Sequence, residues 1–118
     1  MTNDIPTLND PKIIKSSGNV FADLGVPEPE IALAKAKLAI AIARAIDAQQ
    51  LTQEDAGRTT CLDQPRISAI TRGHLRGFSI DRLIRALNAL GQDVDIFVHN
   101  TEVGHSAHLK VTVDSIPS

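Results

Sequence analysis

One stretch constrains this chain more than any other: Leu51 to Gly73, LTQEDAGRTTCLDQPRISAITRG. It carries two helix-start signals and a helix stop in close succession, so it reads as two short helices joined by a tight turn. Thr52 is a good N-cap, and Gln53, Glu54 and Asp55 fill the first turn, where acidic groups suit free N–H groups and the positive end of the helix dipole. The first helix is expected over Gln53 to Thr60, with the turn at Cys61-Leu62. Asp63 is the next N-cap, and Pro65 falls in a first turn, where a missing N–H costs nothing. The run QPRISAITR is then closed by Gly73 as a C′ residue in a left-handed conformation.

The second helix has two unlike sides. At about 100° per residue, Ile67 and Ile70 share one side. Pro65, Ser68, Ala69 and Arg72 fall opposite, with Gln64 and Arg66 on the flanks. That outer face is short, small and polar. A helix entering a DNA groove needs such a face, and Gln and Arg supply bidentate hydrogen-bonding groups for base edges. An ordinary helical hairpin with a solvated outer face has the same spacing, and on spacing alone the two readings stand level.

The whole stretch resembles the Cro/repressor helix-turn-helix family of XRE type. Leu51, Thr52, Gln53, Ala56, Leu62, Gln64, Ile67, Ser68, Ile70 and Gly73 stand at positions matching that family's pattern. Two positions depart from it: Cys61 occupies the turn place where Gly is usual, and Thr60 stands where an apolar residue normally packs. The resemblance implies a mainly α, lambda-repressor-like bundle that binds double-stranded DNA. Carried onto this sequence, it assigns Gln64, Pro65, Arg66, Ser68 and Ala69 to base edges. Gln53, Arg72, His74 and Arg76 are assigned to phosphates, which position a protein without reading sequence.

Charge supports that reading by region, though not in total. The net charge of the 118 residues is −2, but six arginines (58, 66, 72, 76, 82 and 85) face only Asp63 and Asp81 between Arg58 and Arg85. That stretch has a surplus of four positive charges, and the rest of the chain carries a surplus of six negative ones. Basic charge concentrated at a candidate groove-binding unit is the footprint of phosphate contact. The acidic remainder suits a basic partner protein. Hydrophobic residues make up 42%, yet there are three Phe and no Tyr or Trp, so the core must be aliphatic. No apolar run approaches the roughly 18 residues of a membrane span. The N-terminus MTNDIPTLND has no basic-then-apolar leader pattern, and a single cysteine cannot form an internal disulfide, so a cytoplasmic protein is expected. Cys61 has no His–Asp arrangement to activate it and reads as a turn or core residue.

In chain order, residues 1–16 read as an irregular arm, 17–91 as the helical domain, and 92–118 as a C-terminal strand or hairpin with a tail. Ile5, Leu8, Ile13 and Ile14 are too many apolar groups for a purely solvated arm. Asn19 could cap a short helix, VFADL, ending at Gly25 and anchored by Phe21 and Leu24. A long scaffold helix is expected from Pro29 to Gln50, with Ile31, Leu38, Ile42, Ala45 and Ile46 as its apolar stripe. After Gly73 comes the basic loop HLRGF. Ser79 then caps a helix that buries Leu83, Ile84, Leu87 and Leu90 and stops at Gly91. From Gln92 to His99 the period changes to alternation, with Val94, Ile96 and Val98 on one face and Asp93, Asp95 and Phe97 on the other. LKVTVDS offers a second strand, with Val111 and Val113 on one face, joined through NTEVGHSA. A lone hairpin is marginal in water, so its edge is expected to pair with another copy. A homodimer would then place two recognition helices on a palindromic operator.

No cofactor, metal or catalytic centre is expected. His105 and His108 have an H-x-x-H spacing on a loop with no neighbouring Cys or carboxylate cluster, and His74 and His99 are isolated. Gly-rich phosphate loops, paired carboxylates and Ser-His-Asp patterns do not occur, so an enzyme is not expected. A second resemblance refines the function. The phrase SGNVFADLGVPEPE places Ser17, Gly18, Asn19, Val20, Phe21, Asp23, Leu24, Gly25, Glu28 and Glu30 where they stand in small XRE-type antitoxins. These are HigA-like proteins of toxin–antitoxin modules, paired with RelE-type mRNA-cleaving toxins. The resemblance implies a protein that neutralises a basic toxin and represses its own operon. Two other classes stay open: a stand-alone or phage-type repressor, and a protein-interaction module that no longer binds DNA.

Overall fold

The computed structural model describes residues 24–25, 28–104 and 106–114. The chain divides into two units, Met1–Leu33 and Ala34–Ser118, and the elements that matter for function lie in the second. The described residues form four helices: α1 over Pro29–Ala48, α2 over Gln53–Thr60, α3 over Gln64–Thr71 and α4 over Ile80–Ala89. Three of them begin at side-chain caps. The Asp55 N–H donates to Thr52 Oγ1 at 3.0 Å, Arg66 N–H to Asp63 Oδ1 at 2.9 Å, and Arg82 N–H to Ser79 Oγ at 3.2 Å. Each satisfies one donor that the first helical turn leaves unpaired.

The helix ends are as local as the starts. At α3, the Gly73 N–H donates to Ile70 O at 3.1 Å and the His74 N–H to Ala69 O at 2.8 Å, with Gly73 at φ +77°. This paired closure needs one left-handed residue, for which glycine has no Cβ penalty. The same two-bond pattern closes α1, where Gln50 at φ 56° takes the left-handed place. Helix α1 therefore ends at Ala48, two residues before the expected Gln50. Cys61 holds φ 62° at the end of α2 and confirms a turn there in the place where the related pattern has glycine. Its cost is of the order of 1–2 kcal/mol for a non-glycine residue.

Aliphatic side chains fill the core. Leu38, Ala39, Ala41, Ile42, Ala45 and Ile46 from α1 meet Ala56 of α2, Ile67 and Ile70 of α3, Phe78, and Leu83, Ala86, Leu87 and Leu90 of α4 and its end. Helix α2 contacts both α3 and α4. Ala56 and Gly57 are its buried residues, and a Cβ built on Gly57 would lie 2.6 Å from the Leu62 carbonyl oxygen. That oxygen belongs to the turn, so the absence of a side chain at residue 57 lets the chain fold back tightly before α3. Half-buried Thr60 stands where an apolar residue was expected; its hydroxyl donates to Ala56 O at 2.7 Å, which pairs the polar group within its own helix. Between α1 and α4, Gln49 Nε2 donates to Leu90 O at 2.7 Å and occupies a carbonyl at the end of α4.

Two expectations require correction. The C-terminal β-hairpin is not formed: residues 93–104 and 106–114 contain no strand. Both segments seat valine side chains on the helical core. Val94, Val111 and Val113 pack on the helical core, and Lys37 Nζ donates to the Val111 carbonyl at 3.0 Å, taking an acceptor that a neighbouring strand would use. Leu24, expected as a core anchor, is 65% exposed. The remainder of the expected VFADL helix, the arm over residues 1–16 and His105 of the H-x-x-H pair lie outside the described residues.

Candidate nucleic-acid interface

Helix α3 is held by two side chains. Ile67 and Ile70 are almost wholly buried, while Gln64, Pro65, Arg66 and Arg72 are exposed, so the face opposite the two isoleucines is open to a ligand. Ser68 and Ala69 sit between the two faces. Both are half-buried, and Ala69 packs against the core cluster. The exposed part of the face is thus concentrated in the first turn, at Gln64, Pro65 and Arg66. This is the end of a recognition helix that reaches base edges in helix-turn-helix complexes.

The six arginines of the basic stretch separate by what they touch. Arg58 is bonded to Glu54 at 3.2 Å and also to Asp55, and Arg85 lies 3.4 Å from Asp81. Arg72 folds back, its Nε donating to Ser68 O at 3.3 Å. Among the described residues the guanidinium groups of Arg66, Arg76 and Arg82 make no hydrogen bond or ion pair. All three are exposed, and free guanidinium groups are those able to take a base edge or a phosphate without first giving up a partner. Arg82 is the cation that sequence reasoning did not single out. The signal was present: Arg58 and Arg85 each have a carboxylate three or four residues earlier on the same helix, and Arg82 has none.

The phosphate-side residues sit on two supports. Gln53 is the first residue of α2, exposed beside the Thr52 cap. His74 and Arg76 are exposed on the loop after α3, and that loop is pinned at both ends. The His74 N–H is bonded to Ala69 O, Leu75 packs against the core, Phe78 is buried, and the Phe78 N–H donates to Leu75 O at 3.0 Å. Phe78 was not assigned a structural role from sequence, yet it ties the basic loop to the bundle. The interface therefore gathers Gln64, Pro65 and Arg66 on one helix turn, with His74 and Arg76 on a short anchored loop at the helix's other end. Such a set can donate hydrogen bonds to bases and phosphates, and it holds no arrangement for bond making or breaking. Among the described residues no group of three or more His, Cys, Asp or Glu could hold a metal ion, and no helix is long and apolar enough to cross a membrane.

Comparison with known proteins agrees with this architecture. A family described as a helix-turn-helix domain matches residues 20–99. A solved structure described as an XRE family transcriptional regulator is similar at a TM-score of 0.69 and 35% identity, over 75% of this chain and 100% of that one. No curated protein matches. The chain belongs to the XRE-type helix-turn-helix family.

Proposed function

We propose that this protein is a sequence-specific DNA-binding transcriptional regulator that acts as a homodimer on a palindromic operator. The observation that carries the reading is the first turn of α3, where Gln64 and Arg66 are exposed, capped by Asp63 and without protein partners, above a helix anchored by Ile67 and Ile70. Gln64, Pro65, Arg66, Ser68 and Ala69 face base edges in this reading, with Gln64 and Arg66 as the hydrogen-bond donors. Gln53, Arg72, His74 and Arg76 contact phosphates. Arg72 must exchange its bond to Ser68 O for one to DNA, so its contribution is smaller than that of Arg76, which has nothing to release.

The finer role is that of an antitoxin, which represses its own operon and neutralises a RelE-type toxin. Its support is the likeness of Ser17 to Glu30 to the HigA-like group, together with the acidic balance outside residues 58–85. The experiment is a gel shift against DNA from upstream of the protein's own gene, with salt varied. Arg66→Ala is expected to cost about 1–3 kcal/mol at the operator and to relax specificity. Arg76→Ala is expected to weaken all sequences alike and to lower the salt slope by about one unit. A change of sequence preference in Arg76→Ala would reverse the assignment of loop and helix. Equal affinity for operator and random DNA at low salt would remove the regulator reading. Co-purification with the product of an adjacent gene for a small basic protein tests the antitoxin role. A purified pair that does not associate would leave a stand-alone repressor.

A further inference from the structure

Arg82 is a cation for which the described residues supply no acceptor. It is exposed in the first turn of α4, where its N–H donates to Ser79 Oγ while its guanidinium group makes no hydrogen bond or ion pair. Helix register explains why. Side chains on a helix meet at spacings of three and four, and those places around Arg82 hold Phe78, Ser79, Arg85 and Ala86, none of them a carboxylate. Asp81 is next in sequence but is engaged elsewhere: its Oδ1 accepts from Ser79 Oγ at 3.2 Å, and its Oδ2 lies 3.4 Å from Arg85 Nη2. Arg85 is thereby compensated and Arg82 is not.

We propose that Arg82 is a further DNA contact, holding a backbone phosphate close to the one taken by Arg76. Its placement follows from the loop. Phe78 is buried and its N–H is bonded to Leu75 O, so the chain that carries Arg76 runs from a pinned loop straight into the Ser79 cap. Leu83, Ala86 and Leu87 turn the buried side of α4 to the core and leave Arg82 on an exposed flank of its first turn. From Gln64 to Ile80 the chain contains no Asp or Glu, so a phosphate approaching Arg76 meets no carboxylate along that stretch. A recognition helix fills the groove, and a cation on the helix that follows it meets the sugar–phosphate backbone, which positions the protein without reading sequence. A guanidinium group matches a phosphate with two parallel hydrogen bonds, and Arg82 has no partner to release first. Arg85, of equal charge on the same helix, must first leave Asp81. The inference deepens the DNA-binding regulator reading and rests on it.

The test follows binding of the full chain to DNA from upstream of its own gene, and to random DNA of equal length, by fluorescence anisotropy over a salt series. Arg82→Gln removes the charge and keeps most of the side-chain stem. It should lower the salt slope by about one unit and weaken both DNAs by the same factor, about fivefold near 0.15 M salt. Arg82→Lys keeps the charge and should restore the slope. Arg76→Ala combined with Arg82→Gln should lower it by about two units, one for each phosphate. Arg85→Gln should change it by less than about half a unit, because that charge is already compensated by Asp81. Arg82→Gln should also melt with the wild type, since its guanidinium group holds nothing in the fold. A wild-type slope in Arg82→Gln, a loss confined to one of the two DNAs, a slope that Arg82→Lys does not restore, or an equal effect of Arg85→Gln would each overturn the proposal. A lowered melting temperature accompanying the weaker binding would show a structural role and overturn it too. Failure of the wild type to bind either DNA at low salt removes the regulator reading and this contact with it. Wild-type binding that Arg82→Gln leaves untouched removes the contact alone.

Discussion

The stretch from Thr52 to Leu90 and the segment from Asp93 to Asp114 are both rich in aliphatic residues, and the fold treats them in opposite ways. In the first, Ile67, Ile70 and Leu83 are almost completely buried, and α2, α3 and α4 all start at a side-chain cap. In the second, Ile96, Phe97, Val98 and Val103 are exposed and no strand forms among the described residues. Hydrophobicity does not separate them. Backbone chemistry does. A helix pairs its N–H and carbonyl groups with its own residues four positions away, so it is complete in a single chain. A strand has no internal partner, and its groups wait for a second backbone. The helical region therefore presents the outer face of α3 from a finished scaffold, whereas the C-terminal segment is held in place by Val94, Val111, Val113 and the Lys37 bond.

If that contrast is right, truncating an apolar side chain should matter greatly in one region and little in the other. Ile67→Ala removes half of the anchorage of α3 and is expected to destabilise the fold by about 2–5 kcal/mol in a urea titration, with operator binding lost in parallel. Gly57→Ala drives a Cβ against the Leu62 carbonyl and should cost about 1–3 kcal/mol, read as a lower melting temperature. An unchanged melting temperature would mean that the turn yields freely. Cys61→Gly works in the other direction: relief of the left-handed strain, partly offset by backbone entropy, should stabilise by about 1 kcal/mol or less. The smallest effect is the sharpest. Ile96→Ser in dilute protein should shift unfolding by less than about 0.5 kcal/mol, because nothing in the monomer covers that residue. A loss comparable to that of Ile67→Ala would show that the segment belongs to the folded core after all.

The helix-turn-helix was legible because its signals act over three to five residues. Thr52, Asp63 and Ser79 were identifiable as caps from their type and position, and Gly73 as a helix stop, since each bonds a backbone group within one turn. Isoleucines three residues apart marked the buried side of α3 for the same reason. The candidate site was legible in part. Exposure of Gln64, Pro65 and Arg66 followed from helical spacing, but the half-burial of Ser68 and Ala69 depends on how deeply α3 sits among its neighbours. The bond from Arg72 to Ser68 O and the freedom of Arg82 depend on which acceptors lie nearby, which a face diagram does not contain.

What the sequence by itself determined is the set of local units: where three helices start, where each stops, and which stripe of each is apolar. These are decided by contacts between residues a turn apart, and they survive any arrangement of the rest. What only the tertiary structure decided are the long-range closures: the approach of Gly57 to Leu62, the burial of Phe78 beneath the basic loop, and the clasp of Gln49 on Leu90. It also decided the course of the C-terminal segment, which alternation alone would make a hairpin. Alternating residues specify a face for a strand but not its partner, and here Lys37 bonds the Val111 carbonyl while Val94, Val111 and Val113 pack on the helical core.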